Sequence, residues 1–170
     1  AVLNFSTDHE FNSQGATVCK GLAYVCTYYP DFDNERQEDH WTGDLTLQWD
    51  LSDDTMLYAK VGNGYKAGGF DEDNSRGNLE TAEYEDEEVI SYELGSKMDL
   101  LDGRARFNSA VFLSNFDNVQ VSTFDGNAGF NVGNAAKSEV YGVEMDGQYL
   151  ITDDLTFSGA VAYLDASYDS

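Results

Sequence analysis

From His40 to Leu51 the chain alternates without a break. The odd positions, Trp41, Gly43, Leu45, Leu47, Trp49 and Leu51, are apolar or small, and the even positions, His40, Thr42, Asp44, Thr46, Gln48 and Asp50, are polar. A period of two predicts a strand with one face toward an apolar phase. Twelve residues at about 3.3 Å each span nearly 40 Å, far more than a typical soluble strand. The pattern returns at Thr55 to Lys66 and at Val89 to Leu100, where Ile90, Tyr92, Leu94, Met98 and Leu100 oppose Ser91, Glu93, Lys97 and Asp99. It returns again at Arg104 to Phe116, with Ala105, Phe107, Val111 and Leu113 on one face. Ser138 to Leu150 sets Tyr141, Val143, Met145 and Tyr149 against Ser138, Gly142, Glu144, Asp146 and Gln148. Leu155 to Leu164 is the sixth such run, and Ala1 to Phe5 reads as the tail of a seventh.

The connections carry as much information as the strands. Ser52-Asp53-Asp54, Leu101-Asp102-Gly103 and Ile151 to Asp154 are short, and the Asp-Gly pair is a favoured tight-hairpin sequence. Between them lie about 22 residues from Ala67 to Glu88 and about 21 from Asp117 to Lys137, and the longest connection, Ser6 to Asp39, comes before the first full strand. Short and long alternate, so in an antiparallel meander the tight turns share one end and the long loops the other. The expected fold is therefore all-β: six or seven long strands forming part of a large transmembrane β-barrel, with short periplasmic turns and long extracellular loops. Its strand pairs are 40–66, 89–116 and 138–164, with 6–39 as a long extracellular loop. Trp41, Tyr58, Tyr65, Tyr92, Tyr149 and Tyr163 fall toward strand ends, where amphipathic rings suit a membrane interface; cross-strand packing in any sheet is the alternative.

Composition agrees with strands and turns: 11 Tyr, 10 Phe, 16 Gly and a single proline, Pro30. No run of 18 apolar residues offers a transmembrane helix, and Ala1 to Phe5 has no secretory-signal character, so the chain is expected to be mature or a piece of something longer. The net charge is -23, from 32 acidic against 9 basic residues. That excludes nucleic acid as a partner, which needs clustered cations. It fits a solvated acidic surface or calcium in acidic loops, with Asp71, Glu72 and Asp73 as the candidate site and Glu83 to Glu88 as a second.

The remaining candidate chemistry is sparse. Cys19 and Cys26 are too few for a zinc site and read as a small disulfide loop, with two free thiols as the alternative. His9 and His40 are isolated in the sequence and read as exposed polar residues. Gly64-Tyr65-Lys66-Ala67-Gly68-Gly69-Phe70 is a poor phosphate loop, because the acidic run Asp71-Glu72-Asp73 follows where a helix would be needed. Gly68-Gly69 reads instead as a flexible exit from strand to loop.

These residues also resemble the late-barrel motifs of TonB-dependent outer-membrane receptors. The resemblance begins with Leu57-Tyr58-Ala59 and Gly64 to Phe70 and continues through Ser91-Tyr92-Glu93-Leu94-Gly95-Ser96-Lys97, the hairpin Leu101 to Arg106 and Asn108 to Phe112. Asn115 to Val121, Asn131 to Ala135, Tyr141 to Met145 and Leu155 to Ala160 follow in the family's order, so Trp41 to Ser170 is covered and Ser6 to Asp39 is not. The resemblance implies uptake of a scarce nutrient, a ferric siderophore or similar chelate foremost, by energised transport through TonB, and no enzymatic activity. It also implies a plug domain and an energy-coupling box, neither of which is legible here. No cofactor is implied. The expected partners are membrane lipid and a small-molecule or metal-chelate ligand, with contacts from the loops and the polar face: Lys66, Glu93, Arg106, Asn108, Glu144 and Gln148. A soluble acidic calcium-binding module and a small self-contained barrel are the alternative readings.

Overall fold

The structure, a computed structural model, describes residues 2–13, 16–20, 25–29, 32–71, 82–124, 130–135 and 137–168, with side chains from residue 33 onward. The strands are β1 (Val2–Ser13), β2 (Ala16–Lys20), β3 (Val25–Tyr29), β4 (Phe32–Ser52), β5 (Thr55–Lys66), β6 (Gly69–Phe70) and β7 (Glu83–Tyr84). They continue with β8 (Glu87–Leu100), β9 (Ala105–Asp117), β10 (Gln120–Phe124), β11 (Phe130–Asn134), β12 (Ser138–Thr152) and β13 (Leu155–Tyr168).

Seven of them form one antiparallel sheet in the order β1-β4-β5-β8-β9-β12-β13, a meander interrupted only by small two-stranded ribbons, β2-β3, β6-β7 and β10-β11, in the long connections. The sheet is open within this chain, with β1 and β13 at its edges. Six alternating runs predict six of its strands, and the bounds of β5 are those the alternation gives.

The departure lies at the start. Strand β1 does not end at Phe5 but runs to Ser13, and β4 begins at Phe32, so an unbroken ladder from Val2–Gly43 to Ser13–Phe32 occupies most of the expected loop 6–39. Asp33, Asn34, Glu35 and Arg36 are polar in succession. With no apolar phase on either side the backbone still pairs, but no period of two is left to read.

Register fixes the faces. Leu47, Ala59, Leu94, Val111, Val143 and Tyr163 stand opposite one another across six strands, and Leu45, Val61, Tyr92, Leu113 and Tyr141 form the neighbouring row. This face is not covered: Leu45, Leu47 and Trp49 are 70 %, 72 % and 64 % exposed, and among the described residues the buried apolar set is Ala82 alone. A sheet with no core and such a surface requires lipid as its apolar phase. The stripe from Trp41 to Leu51 covers about 33 Å along the strand, which a 40° tilt reduces to roughly 25 Å, the height of an outer-membrane apolar band.

Aromatics only partly follow the expected belt. Trp41, Tyr92, Tyr149 and Tyr163 are exposed on the apolar face. Tyr58 instead lies on the polar face and donates to Glu93 Oε1 at 2.5 Å, and Tyr65 stacks on His40 with centroids 4.0 Å apart.

Two of the three tight turns share a construction. A register shift between Asp50 and Ser52 precedes the turn Asp53-Asp54, and one between Leu150 and Thr152 precedes Asp153-Asp154. A bulge beside the turn sharpens the strand twist. Leu101, Asp102 and Gly103 all take positive φ (56°, 53° and 80°), and Arg104 donates to the carbonyls of Leu150 and Ile151 at 3.0 and 3.1 Å. Glycines matter where the polar face is crowded. A Cβ on Gly95 would strike the Tyr58 ring, and one on Gly142 would lie 2.5 Å from the Tyr163 carbonyl.

Gly95→Val in the full-length barrel is therefore expected to cost about 1–3 kcal/mol. Tyr58→Ala in the same chain should restore most of it, as read from denaturant unfolding in detergent.

Candidate functional site at the outer end of the wall

The polar face carries a ladder of charged side chains. Gln48, Tyr58, Gly95, Ala110 and Glu144 share one row, and Asp50, Met56, Lys97, Asn108 and Asp146 share another. Arg106 stands opposite both Asp99 and Gln148. Of the six residues expected to meet a ligand, all lie on this face, yet they do not converge. Lys66 pairs in register with Glu87 at the loop end, and Arg106 pairs with Asp99 twelve residues further along β8, about 40 Å away. Glu93 and Glu144 sit between.

Arg106, Asn108 and Gln148 form one group at the turn end. Arg106 Nε donates to Asp99 Oδ1 and Asn108 to Asp146 Oδ2, at 2.8 and 2.9 Å. Asp50, Asp54, Lys97, Asp99, Arg106 and Asn108 border a depression of about 710 Å³ there.

The outer end is built differently. Asn63 ends the β4–β5 ladder by bonding with its side chain: its Oδ1 accepts from Gly43 N at 3.1 Å and its Nδ2 donates to Trp41 O at 2.8 Å. Beyond it, β4 carries Arg36, Glu38 and His40 on alternate positions, beside Tyr65 and Gly68. Arg36 bonds Glu38 through Nε and Glu83 through Nη1, the latter at 2.6 Å, and its Nη2 lies 3.6 Å from Asp86 Oδ1. Burial works to lower the Arg36 pKa, but the hydrogen bonds it donates to Glu38 and Glu83, and their charge, hold it above its ordinary value, so the guanidinium stays cationic. Gly68 N donates to Glu38 Oε2 at 3.2 Å.

The glycine pair is thus no flexible exit. A Cβ on Gly68 would meet Tyr84 O at 2.6 Å, Glu38 Oε1 at 2.8 Å and Arg36 Nε at 2.9 Å, and one on Gly69 would meet the Tyr84 hydroxyl at 2.7 Å. These positions are glycine for lack of room.

Nor is His40 an isolated exposed residue. Its Nε2 lies 3.8 Å from Glu38 and 3.6 Å from Asp86, its Nδ1 lies 3.8 Å from Glu88, and its side chain is 14 % exposed. Two of these partners sit more than forty positions away in sequence, and no local pattern announces them. His9, Cys19 and Cys26 have described backbone only; the register sets Cys19 directly opposite Cys26. Of the proposed calcium group, Asp71 serves as a loop tie, accepting from Val132 N at 2.5 Å, and Glu72 and Asp73 lie outside the described residues.

The long connections are sewn to one another as well. Gln120 donates to the carbonyls of Ala67 and Glu85, and Asn134 to those of Glu85 and Asn118, at 2.8–3.0 Å.

Residues 7–170 match the family model described as TonB dependent receptor-like, beta-barrel. The chain belongs to that family. TonB-dependent receptors are outer-membrane β-barrels and a receptor family, not an enzyme family, so the apolar face described above is the lipid face and the polar one lines the lumen. The pesticin receptor of Yersinia enterocolitica is 27 % identical over 113 residues, 66 % of this chain but 16 % of that protein. The ferric yersiniabactin uptake receptor FyuA of Yersinia pestis superposes with a TM-score of 0.66 at 21 % identity, over 82 % of this chain and 20 % of its own. The siderophore receptor PirA of Pseudomonas aeruginosa gives 0.65 at 18 %, over 98 % and 32 %. The chain therefore spans about a sixth of the curated receptor it matches and supplies seven strands of a wall. A family member with an open seven-stranded sheet and a bare apolar face is neither a soluble calcium module nor a small closed barrel.

Arg36 offsets part of the charge of the acidic cluster. Arg36→Gln is expected to increase protease nicking within 82–88 several-fold in the full-length receptor, and Glu38→Gln added to it should reverse part of that change, because the uncompensated charge is then removed.

Proposed function

We propose that this chain is a lumen-lining wall segment of a receptor that imports a scarce nutrient as a metal chelate, a ferric siderophore foremost. The observation that carries this reading is the family match over nearly the whole chain, supported by a charged lumenal ladder backed by an unbroken lipid face. Transport is energised by TonB through parts of the receptor other than this wall. The ligand enters at the loop end, so Lys66 and the sewn loops meet it first. Glu93 and Glu144 flank its passage. Arg106, Asn108 and Gln148 line the periplasmic mouth, with Arg106 opposite Asp99 and Gln148, and Asn108 opposite Asp146.

The test is uptake of radiolabelled ferric chelates by cells carrying or lacking the full-length receptor under iron restriction. Uptake of at least one chelate should fall to background on deletion and return on complementation, with Lys66→Glu weakening its binding several-fold. A receptor that moves no ferric chelate but restores uptake of cobalamin or an oligosaccharide would overturn the chelate assignment.

We further propose that Cys19 and Cys26 form a disulfide closing the β2-β3 ribbon, since directly opposed strand positions bring Cα atoms within bridging range. The mass of the 16–29 region from a non-reducing digest should rise by about 2 Da on reduction, the mass of the two hydrogens added when the bond opens.

A further inference from the structure

The outer cluster has a feature that charge balance alone does not require. Glu38 and Asp86 each turn one oxygen to Arg36 and the other toward His40, and the Glu38 oxygen on the His40 side also accepts from Gly68 N. Glu38 gives Oε1 to Arg36 and turns Oε2 toward His40 Nε2, at 3.8 Å. Asp86 gives Oδ1 to Arg36 and turns Oδ2 toward the same nitrogen, at 3.6 Å. These separations exceed a hydrogen bond. They are close to the roughly 3.3–3.4 Å that separates ligand atoms about 2.0–2.1 Å from a tetrahedral ion. The three atoms lie within 4.8 Å of one another, so modest inward movement of Asp86, which stands between β7 and β8, closes the triangle.

The surroundings favour a cation. Glu38, Glu83 and Asp86 share one guanidinium, and Glu88 adds a fourth carboxylate beside His40. The imidazole is held by Tyr65, stacked at 20° between ring planes, and its other nitrogen faces Glu88 Oε1 at 3.8 Å. Metal-bound histidines are oriented by an acceptor on this distal nitrogen, and Glu88 lies on that side, beyond hydrogen-bond reach. The side chains of Glu38, His40 and Asp86 are 5 %, 14 % and 21 % exposed, which leaves one side of the group open to water.

We propose that His40 Nε2, Glu38 Oε2 and Asp86 Oδ2 bind a zinc-class divalent cation, with water in the fourth position, clipping the loop that precedes β8 onto strand β4. One nitrogen with two monodentate oxygens suits a borderline ion. Calcium, which takes six to eight oxygens, is poorly served. Cation binding here is read without any uptake measurement.

The experiment uses the full-length receptor, purified in detergent and stripped with chelator, titrated with Zn²⁺ and separately with Co²⁺. The wild type should bind one more Zn²⁺ than His40→Ala or Asp86→Asn, or bind it at least tenfold more tightly. Its Co²⁺ form should show the intense visible bands of a four-coordinate ion, and both variants should lose them. Ca²⁺ in tenfold excess should not displace the Zn²⁺. Equal Zn²⁺ stoichiometry and affinity in wild type and variants, or displacement by Ca²⁺, overturns the site. Asp86 lies outside the seven-stranded ladder, so Asp86→Asn decides between these outcomes even if His40→Ala fails to fold. Failure of ferric-chelate uptake would leave this result untouched.

Discussion

Every other property of this chain depends on a backbone that satisfies its own hydrogen bonds across a lipid layer. In hydrocarbon an unpaired N–H or C=O costs several kcal/mol and no water is present to take it. The answer is seven antiparallel strands of 12 to 21 residues in one continuous ladder. Once the ladder exists, side-chain alternation follows from the pleat, and the two faces separate into lipid wall and aqueous lining. The same requirement makes β1 and β13 incomplete as edges, because a long bare strand edge cannot remain in lipid.

Departures from the ladder lie at its two ends, and a side chain repairs one at each end. At the turn end, Arg104 takes up two strand carbonyls left by the bulge in β12. At the loop end, the Asn63 amide substitutes for a backbone pair. In a chain with so large an acid excess, Arg36 is disproportionately important: one guanidinium holds three carboxylates from two segments that the sequence keeps far apart. Gly68 must be small so that this group can close.

How much of this is legible in the sequence depends on whether two different solvents act on one strand. Between Trp41 and Leu51 lipid and water lie on opposite faces, and the alternation gives the strand and its faces. From Asp33 to Asp39 neither face meets an apolar phase: Asp33, Glu35 and Asp39 are exposed while Arg36 and Glu38 pack into a charged cluster, so the pattern vanishes although the pairing continues. The six polar-face candidates are readable as a face but not as a place, because alternation gives direction and not depth. Register supplies the depth and divides them into an outer, a middle and an inner set. His40 is unreadable for another reason. Its environment is assembled by a loop that returns more than forty residues later, and such proximity leaves no local trace.

Strand β4 is the longest in the sheet, and its upper part together with β1 continues well past the apolar stripe. From Trp41 back to Phe32 the ladder climbs about 30 Å, or a little over 20 Å measured normal to a membrane it crosses at a tilt. The receptor thus carries a stiff mast that stands clear of the lipid headgroups and bears the β2-β3 ribbon at its top. Residues there are free of the alternation that binds the strands below, so the crown can change its chemistry while the wall keeps its own.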